Sequence, residues 1–412
     1  MRINIYSGLL LAVVALQSQT LQAQTWTDRG EYDLVLAVRA EALPTRQIEL
    51  IQNWKQKYPQ TDLGRVRAEL ELSAYAALND IPKILALAQQ MVTAGSSDFP
   101  GLYWLTVLAP AAQGADPAFL TLAEQAARKL PEAADQSFGP GKLAPGLPEA
   151  DWQKQRVQID VLSHRALGWI AWQRGAFDVA EQEFRICLEK NPQVPETSSW
   201  LGAVLVLQNT PEKRVESIWH LARASAFDGE SSLSSAQRRD VRTMLERVYR
   251  LHHGELDGLD QIAGQAAASV MPPAQFRIET AQELQQRKQD ELLAQTNPEL
   301  LTWLRVRRQL EGPDAAKNFE VLKSVPLGKL KGLVVRQTPA TKPTEIVLAL
   351  QDPMVEEMII KLDTALTGKA DAGTVLEFEG AMVESWNAQP FLMTVRMEKD
   401  KLTSWPGSGG KH

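Results

Sequence analysis

The chain has 412 residues, 44% of them hydrophobic and 23% charged, with a formal net charge of -6 at neutral pH. That length exceeds what one core supports and predicts about two or three domains, while the mild acidity argues against a general affinity for nucleic acid. Cys187 is the only cysteine, so no intramolecular disulfide can form and packing has to carry the stability.

At the N-terminus, Arg2 precedes an apolar run from Leu9 to Leu16, and Leu21-Gln22-Ala23 has the small-residue pattern of a cleavage site. Residues 1–23 therefore read as a secretory signal peptide, which places the mature chain across the cytoplasmic membrane, periplasmic or secreted. The run is shorter than the roughly 18 residues of a spanning helix. An uncleaved leader would be the chain's one route to a membrane.

Helical hairpins follow in a common frame. Residues 28–62 carry Leu34, Val38, Ile51, Trp54 and Pro59, and residues 65–98 carry Leu72, Tyr75, Asn79, Ile84, Ala88 and Met91. From Pro100 the frame gives Tyr103, Val107, Gly114, Phe119, Ala126 and Pro131. An insertion at 132–150 then contains Gly139-Pro140-Gly141-Lys142-Leu143-Ala144-Pro145-Gly146-Leu147-Pro148, which fits neither helix nor strand and reads as a surface loop. The period is clearest in Val161 to Val194, where His164, Leu167, Gly168 and Ala171 precede Gly175, Ala180, Phe184, Cys187 and Pro192 in a frame of 34 residues. Small residues at Gly168 and Ala180 let two helices approach, Gly175 supplies a left-handed helix end, and Pro192 stops the second helix. Cys187 takes a small apolar position in this hairpin, a packing role rather than a redox or metal one. Residues 195–229 repeat the frame with Leu201, Gly202, Leu205, Val215, Trp219 and Ala222.

The 161–194 segment resembles a tetratricopeptide (TPR) repeat, with histidine and alanine at positions where tryptophan and tyrosine are usual. The resemblance implies that residues 24–229 form a helical-hairpin solenoid, since one such hairpin cannot bury its own apolar face. It also implies a binding scaffold whose first helices line a concave surface. On that surface the stripe Leu162, Arg165, Trp169, Trp172 and Gln173 falls on one ridge, Trp104 holds the equivalent place in the earlier frame, and Ser199 and Ala203 continue it. Trp and Arg dominate binding energy at interfaces, which makes Trp104, Arg165, Trp169, Trp172, Gln173 and Ser199 the candidate site for a peptide or protein. The competing reading packs Trp169 or Trp172 against the preceding repeat or under the insertion.

Residues 230–312 read as further helices and a connector, with Ser235 as an N-cap for 237–251, a helix over 256–269, Thr280 and Glu283 at capping-box spacing, and Pro298 opening a helix to Leu310. Arg305, Arg307 and Arg308 do not share one helical face and read as solvated. His252-His253 with Glu255, Asp257 and Asp260 is the one dense group of metal-ligand types, but its spacing matches no zinc or calcium site, and the histidines read as partners of helix-end carbonyls. No catalytic motif, phosphate-binding loop or cofactor signature is present, so the expectation is a non-enzyme without cofactor or metal.

Residues 313–406 change period. Phe319 and Leu322 fit a short helix, and 330–335, 345–350, 357–362, 375–383 and 391–397 read as five antiparallel strands before a flexible tail at 407–412. Leu376, Phe378, Gly380 and Met382 share one predicted face, as do Phe391, Met393, Val395 and Met397. The strand count resembles a small oligonucleotide/oligosaccharide-binding (OB) barrel; a small sandwich gives the same pattern. From Asp314 onward, 12 lysines and arginines face 13 acids, so the electrostatic footprint of a single-strand binder is missing. The fold class is thus mainly α with a small all-β C-terminal domain. The arrangement of leader, helical repeats and β module is similar to exported repeat proteins of bacteria, a likeness that implies no activity. A ligand-binding or enzymatic role of the β module, on envelope polysaccharide or nucleic acid, is the alternative, and an exposed aromatic row would be its mark.

Overall fold

A computed structural model describes residues 28–95, 98–112, 116–139 and 148–406. The leader, the tail, Gly114 and residues 140–147 of the insertion lie outside the described residues. The chain divides into two compact units, 1–281 and 282–412, with fifteen α-helices and six strands among the described residues.

The first unit runs α1 (Arg29–Ala40), α2 (Pro44–Lys57), α3 (Gly64–Ala77), α4 (Ile81–Thr93), α5 (Phe99–Leu108), α6 (Pro117–Phe138), α7 (Glu149–Gln173), α8 (Phe177–Lys190), α9 (Pro195–Gln208), α10 (Pro211–Ala226), α11 (Ser235–His253) and α12 (Leu259–Ala268). From α1 to α11 each helix packs on the next, and α4 also reaches α6, α5 reaches α7, α7 reaches α9 and α10 reaches α12. The turns repeat as well. Asn79 (φ 53°), Gly175 (φ 73°) and Asn209 (φ 55°) end α3, α7 and α9 in the left-handed region. At the first two, the amide three residues beyond the helix returns to a carbonyl five residues back, Asp80 to Tyr75 at 3.0 Å and Ala176 to Ala171 at 2.9 Å. Close approach repeats too: a Cβ on Gly168 would stand 2.5 Å from the Phe184 ring, and one on Gly202, 34 residues on, 2.8 Å from Leu221.

Three boundaries differ from expectation. Helix α6 continues through Pro131 to Phe138, and α7 begins at Glu149, so both ends of the 132–150 insertion are helical. The added turns of α7 are held by Trp152 and Ile159, both buried. The N-cap of α11 is Ser234, whose side chain and that of Gln237 form the reciprocal capping box one residue before the expected Ser235.

The second unit opens with α13 (Ala281–Thr296), α14 (Pro298–Glu311) and α15 (Ala315–Leu322), then β1 (Leu330–Thr338), β2 (Glu345–Ala349), β3 (Met358–Leu362), β4 (Val375–Phe378), β5 (Met382–Ala388) and β6 (Phe391–Met397). The sheet has six strands in the order β4-β1-β2-β3-β6-β5, with β3 and β6 parallel and the other neighbours antiparallel. This corrects the expected five antiparallel strands and the closed OB barrel, because β4 and β5 end the order without pairing each other. The single strand expected over 375–383 breaks at Gly380 (φ 79°), which sends β4 to β1 and β5 to β6. The turn also reverses the inward set: Leu376 and Phe378 are buried, but beyond it Val383 is buried and Met382 exposed. Alternation holds in β6, where Phe391, Met393, Val395 and Met397 are all buried. Trp303, Val306 and Leu310 of α14 complete this core, with the Trp303 ring edge-on to Phe391 at 5.6 Å.

Candidate binding face on the helical unit

Of the six candidate residues, Trp104 and Trp169 are 5% and 7% exposed and belong to the main helical core, so neither offers a side chain to a partner. Leu162 is buried with them. The cause is that α7 packs on α5, α6, α8 and α9 together, and a helix touched on so many sides has no broad free ridge. Trp172 is half-buried against the same core, Ser199 is half-buried, and Gln173 is exposed.

Arg165 is the residue around which a site is assembled. Its guanidinium donates through Nη2 to Glu196 and lies 4.9 Å from the centre of the Trp200 ring, both on α9. Glu196 stands in the first turn of α9, where the helix dipole favours a carboxylate. The structure thus unites Arg165 with Glu196 and Trp200 across the α7–α9 contact, with Ser199 next to Trp200 in the chain. Trp172 and Gln173 lie two helical turns further along α7, and Trp104 on α5 is part of the core. Trp200 went unrecognised in the sequence, although it adjoins Ser199 and follows Glu196 by one turn.

Beside this face the packed helices exchange charge. His164 Nδ1 donates to Glu183 at 2.6 Å. Glu181 accepts from Arg185 at 2.7 Å, Lys213 at 2.5 Å and Gln208 at 2.8 Å. Arg185 reaches on to Glu216 at 2.7 Å. Burial raises the Glu216 carboxyl, but the neighbouring His220 and Arg185 lower it further, to about 2. Arg185 is the partner at hydrogen-bond distance; His220 Nε2 stands 3.7 Å away. His220 is wholly buried with neither ring nitrogen hydrogen-bonded, and burial lowers its pKa despite the attraction of Glu216. Cys187 is buried against Thr197 Oγ1 at 3.5 Å, and burial raises its thiol pKa, leaving a packed and protonated side chain.

His252 and His253 are buried and donate to the carbonyls of Ile278 (3.0 Å) and Glu279 (2.7 Å), not to the last carbonyls of their own helix as expected. Among the described residues no group of three or more His, Cys, Asp or Glu side chains is placed to hold a metal ion. In the second unit Arg307 is tied to the buried Glu357 at 2.8 Å and Arg308 to Asp290 at 2.9 and 3.0 Å, so two of the three clustered arginines are structural rather than merely solvated. No aromatic side chain among the described residues of that unit is exposed: Trp303, Phe378, Phe391 and Trp405 are buried, and Phe319 and Trp386 are half-buried against each other at 6.2 Å. No described helix is long and apolar enough to cross a membrane.

What the α7–α9 face can do chemically is hold a chain by an aromatic surface, an amide and a half-buried cation. Nothing on it supplies a nucleophile paired with a base. No protein-family model matches this sequence, and no curated protein does.

Proposed function

We propose that the protein is an exported, non-catalytic scaffold whose helical unit is a TPR-like solenoid holding a peptide or protein segment on the face built from Arg165, Trp172, Gln173, Ser199 and Trp200. One observation carries the reading: helix ends and close helix approaches recur at equivalent positions, Gly175 with Asn209 and Gly168 with Gly202, each pair 34 residues apart. Recurrent joints of this kind build stacked hairpins, and a stack has a continuous face for an extended partner. The half-exposed aromatics and the Arg165 guanidinium suit such a partner. The β unit serves as a second surface or as the end of the array. Neither cofactor nor metal takes part, and the leader directs the chain out of the cytoplasm.

The test combines cross-linking in the intact cell envelope with two conservative losses. Trp172→Ala with Gln173→Ala removes accessible side chains and leaves Trp169 in the core, so the helical circular dichroism is expected to persist while the cross-linked partner is lost. Unchanged capture by the double variant, or residence of the protein in the cytoplasm, would overturn the proposal.

A further inference from the structure

Between the end of α12 and the start of α13 the chain forms neither helix nor strand, yet it does not leave the first unit. Residues 270–280, Val-Met-Pro-Pro-Ala-Gln-Phe-Arg-Ile-Glu-Thr, run as a strap over α10 and α11. Pro273 and Phe276 close a turn at 2.9 Å, and beyond it the strap alternates: Phe276 turns inward, Arg277 outward, Ile278 inward. Phe276 meets the edge of Trp219 from α10 at 4.8 Å, and Ile278, 5% exposed, joins Leu245, Val248 and Tyr249 of α11 and Leu259 and Ala263 of α12 in one cluster.

The backbone is gripped as well. His252 and His253, adjacent on α11, donate to the consecutive carbonyls of Ile278 and Glu279. A helix ordinarily turns neighbouring side chains about 100° apart; here both reach successive carbonyls of one extended chain. Arg223 fixes the point of departure by donating to Ala266 and Ala267 at the end of α12 and to Pro192. A cleft of about 500 Å³ stays open beside the strap, lined by Tyr249, His253, Gln261, Ile262, Gln265 and the strap itself.

Two inward side chains in apolar pockets with side-chain donors to the carbonyls that adjoin them are how a groove recognises an extended peptide. We propose that the α10–α12 groove is a peptide-binding site for an extended segment with an aromatic-x-aliphatic pair, occupied in the resting protein by the chain's own residues 270–280. A partner segment of the same chemistry displaces the strap. This site is separate from the α7–α9 face and does not depend on the function assigned to that face.

A tethered strap acts at an effective concentration in the millimolar range, on the order of 1 mM, so a free peptide competes poorly until the strap is weakened. The probe is a fluorescent peptide with the sequence of residues 270–280, read by anisotropy against the full chain. The double variant Phe276→Ala, Ile278→Ala is expected to bind it at least about tenfold more tightly than the unaltered protein, and a peptide carrying the same two changes is expected not to bind. A folded double variant that fails to bind, or binds no better than the unaltered protein, overturns the proposal. If the double variant does not fold, thiol labelling decides. Ile278→Cys places a thiol in the strap and the buried Cys187 in α8 serves as internal reference. Modification at position 278 at least about tenfold faster than at Cys187 under native conditions shows a strap that detaches alone; equal rates show one that leaves only when the unit unfolds, and end the proposal.

Discussion

The two units treat buried charge differently. In the helical unit three ion pairs span nearly the same stretch of chain: Arg165 with Glu196 and Arg185 with Glu216 are each separated by 31 residues, and Glu181 with Lys213 by 32. Glu181 and Glu216 each have more than one polar partner. In the β unit Glu357, 1% exposed, is answered by Arg307 from 50 residues earlier. Its second oxygen accepts the amides of Leu350 and Gln351 at 2.8 and 2.5 Å, so one carboxylate joins α14 to the connection between β2 and β3. The helical unit spreads such polar contacts over several helix pairs, whereas Glu357 gathers three at one carboxylate.

That contrast has consequences that rank by size. Glu357→Ala leaves two amides without their acceptor and removes the buried partner of Arg307, which keeps Glu311 and Gln351, and a loss of about 3–5 kcal/mol is expected. Denaturant unfolding followed by the Trp303 and Trp386 fluorescence of the β unit measures it; a loss below about 1 kcal/mol would mean that the staple is no different from a surface pair. Gly168→Leu forces atoms into the Phe184 ring and is expected to cost about 3 kcal/mol. In the solenoid proposed above that damage would stay near the altered joint, so hydrogen exchange should accelerate in α7 and α8 far more than in α1 and α2. Uniform acceleration across the unit would contradict the local character of the packing.

The smallest effects are set by pH. His220 has its pKa lowered by burial, so the unfolded chain takes up a proton first, and stability is present above the unfolded value near 6.5 and declines as pH falls below it. Denaturation midpoints of the helical unit should therefore drop between about pH 7.5 and 5.5, and His220→Phe should flatten that part of the curve. Glu216, at about 2 in the fold against 4.5, contributes stability that is complete above 4.5 and is lost as pH falls toward 2. Discounted for solvent, that contribution is on the order of 1–2 kcal/mol. A profile flat from about pH 7.5 to 3 would show that neither group is held as described.

Much of the helical unit was legible. Gly168, Gly175, Phe184, Cys187 and the small and large residues around them occupy the packed or turning positions that their spacing implied, because a helix end and a close approach depend on the residues within one hairpin. The candidate face was legible only in part. Periodicity places Arg165, Trp169 and Trp172 on one ridge of α7, but burial of Trp169 follows from the four helices that pack on α7, and no pattern within α7 counts its neighbours. Trp200 was missed for the same reason: its meeting with Arg165 is a contact between hairpins. The strap at 270–280 reads as a Pro-rich connector, and nothing local announces that two adjacent histidines will bind its carbonyls.

The C-terminal sheet marks the division most clearly. Residue order by itself determined five stretches of strand and the inward face of β6, since alternation is a property of a few consecutive residues; the same reading ran one strand straight through Gly380, where the chain turns. Only the tertiary structure decided that β4 lies beside β1, that β6 runs parallel to β3, and that Arg307 answers Glu357. Those choices depend on which distant surfaces bury together, and the free energy that selects among them comes from burial and pairing across the chain rather than along it.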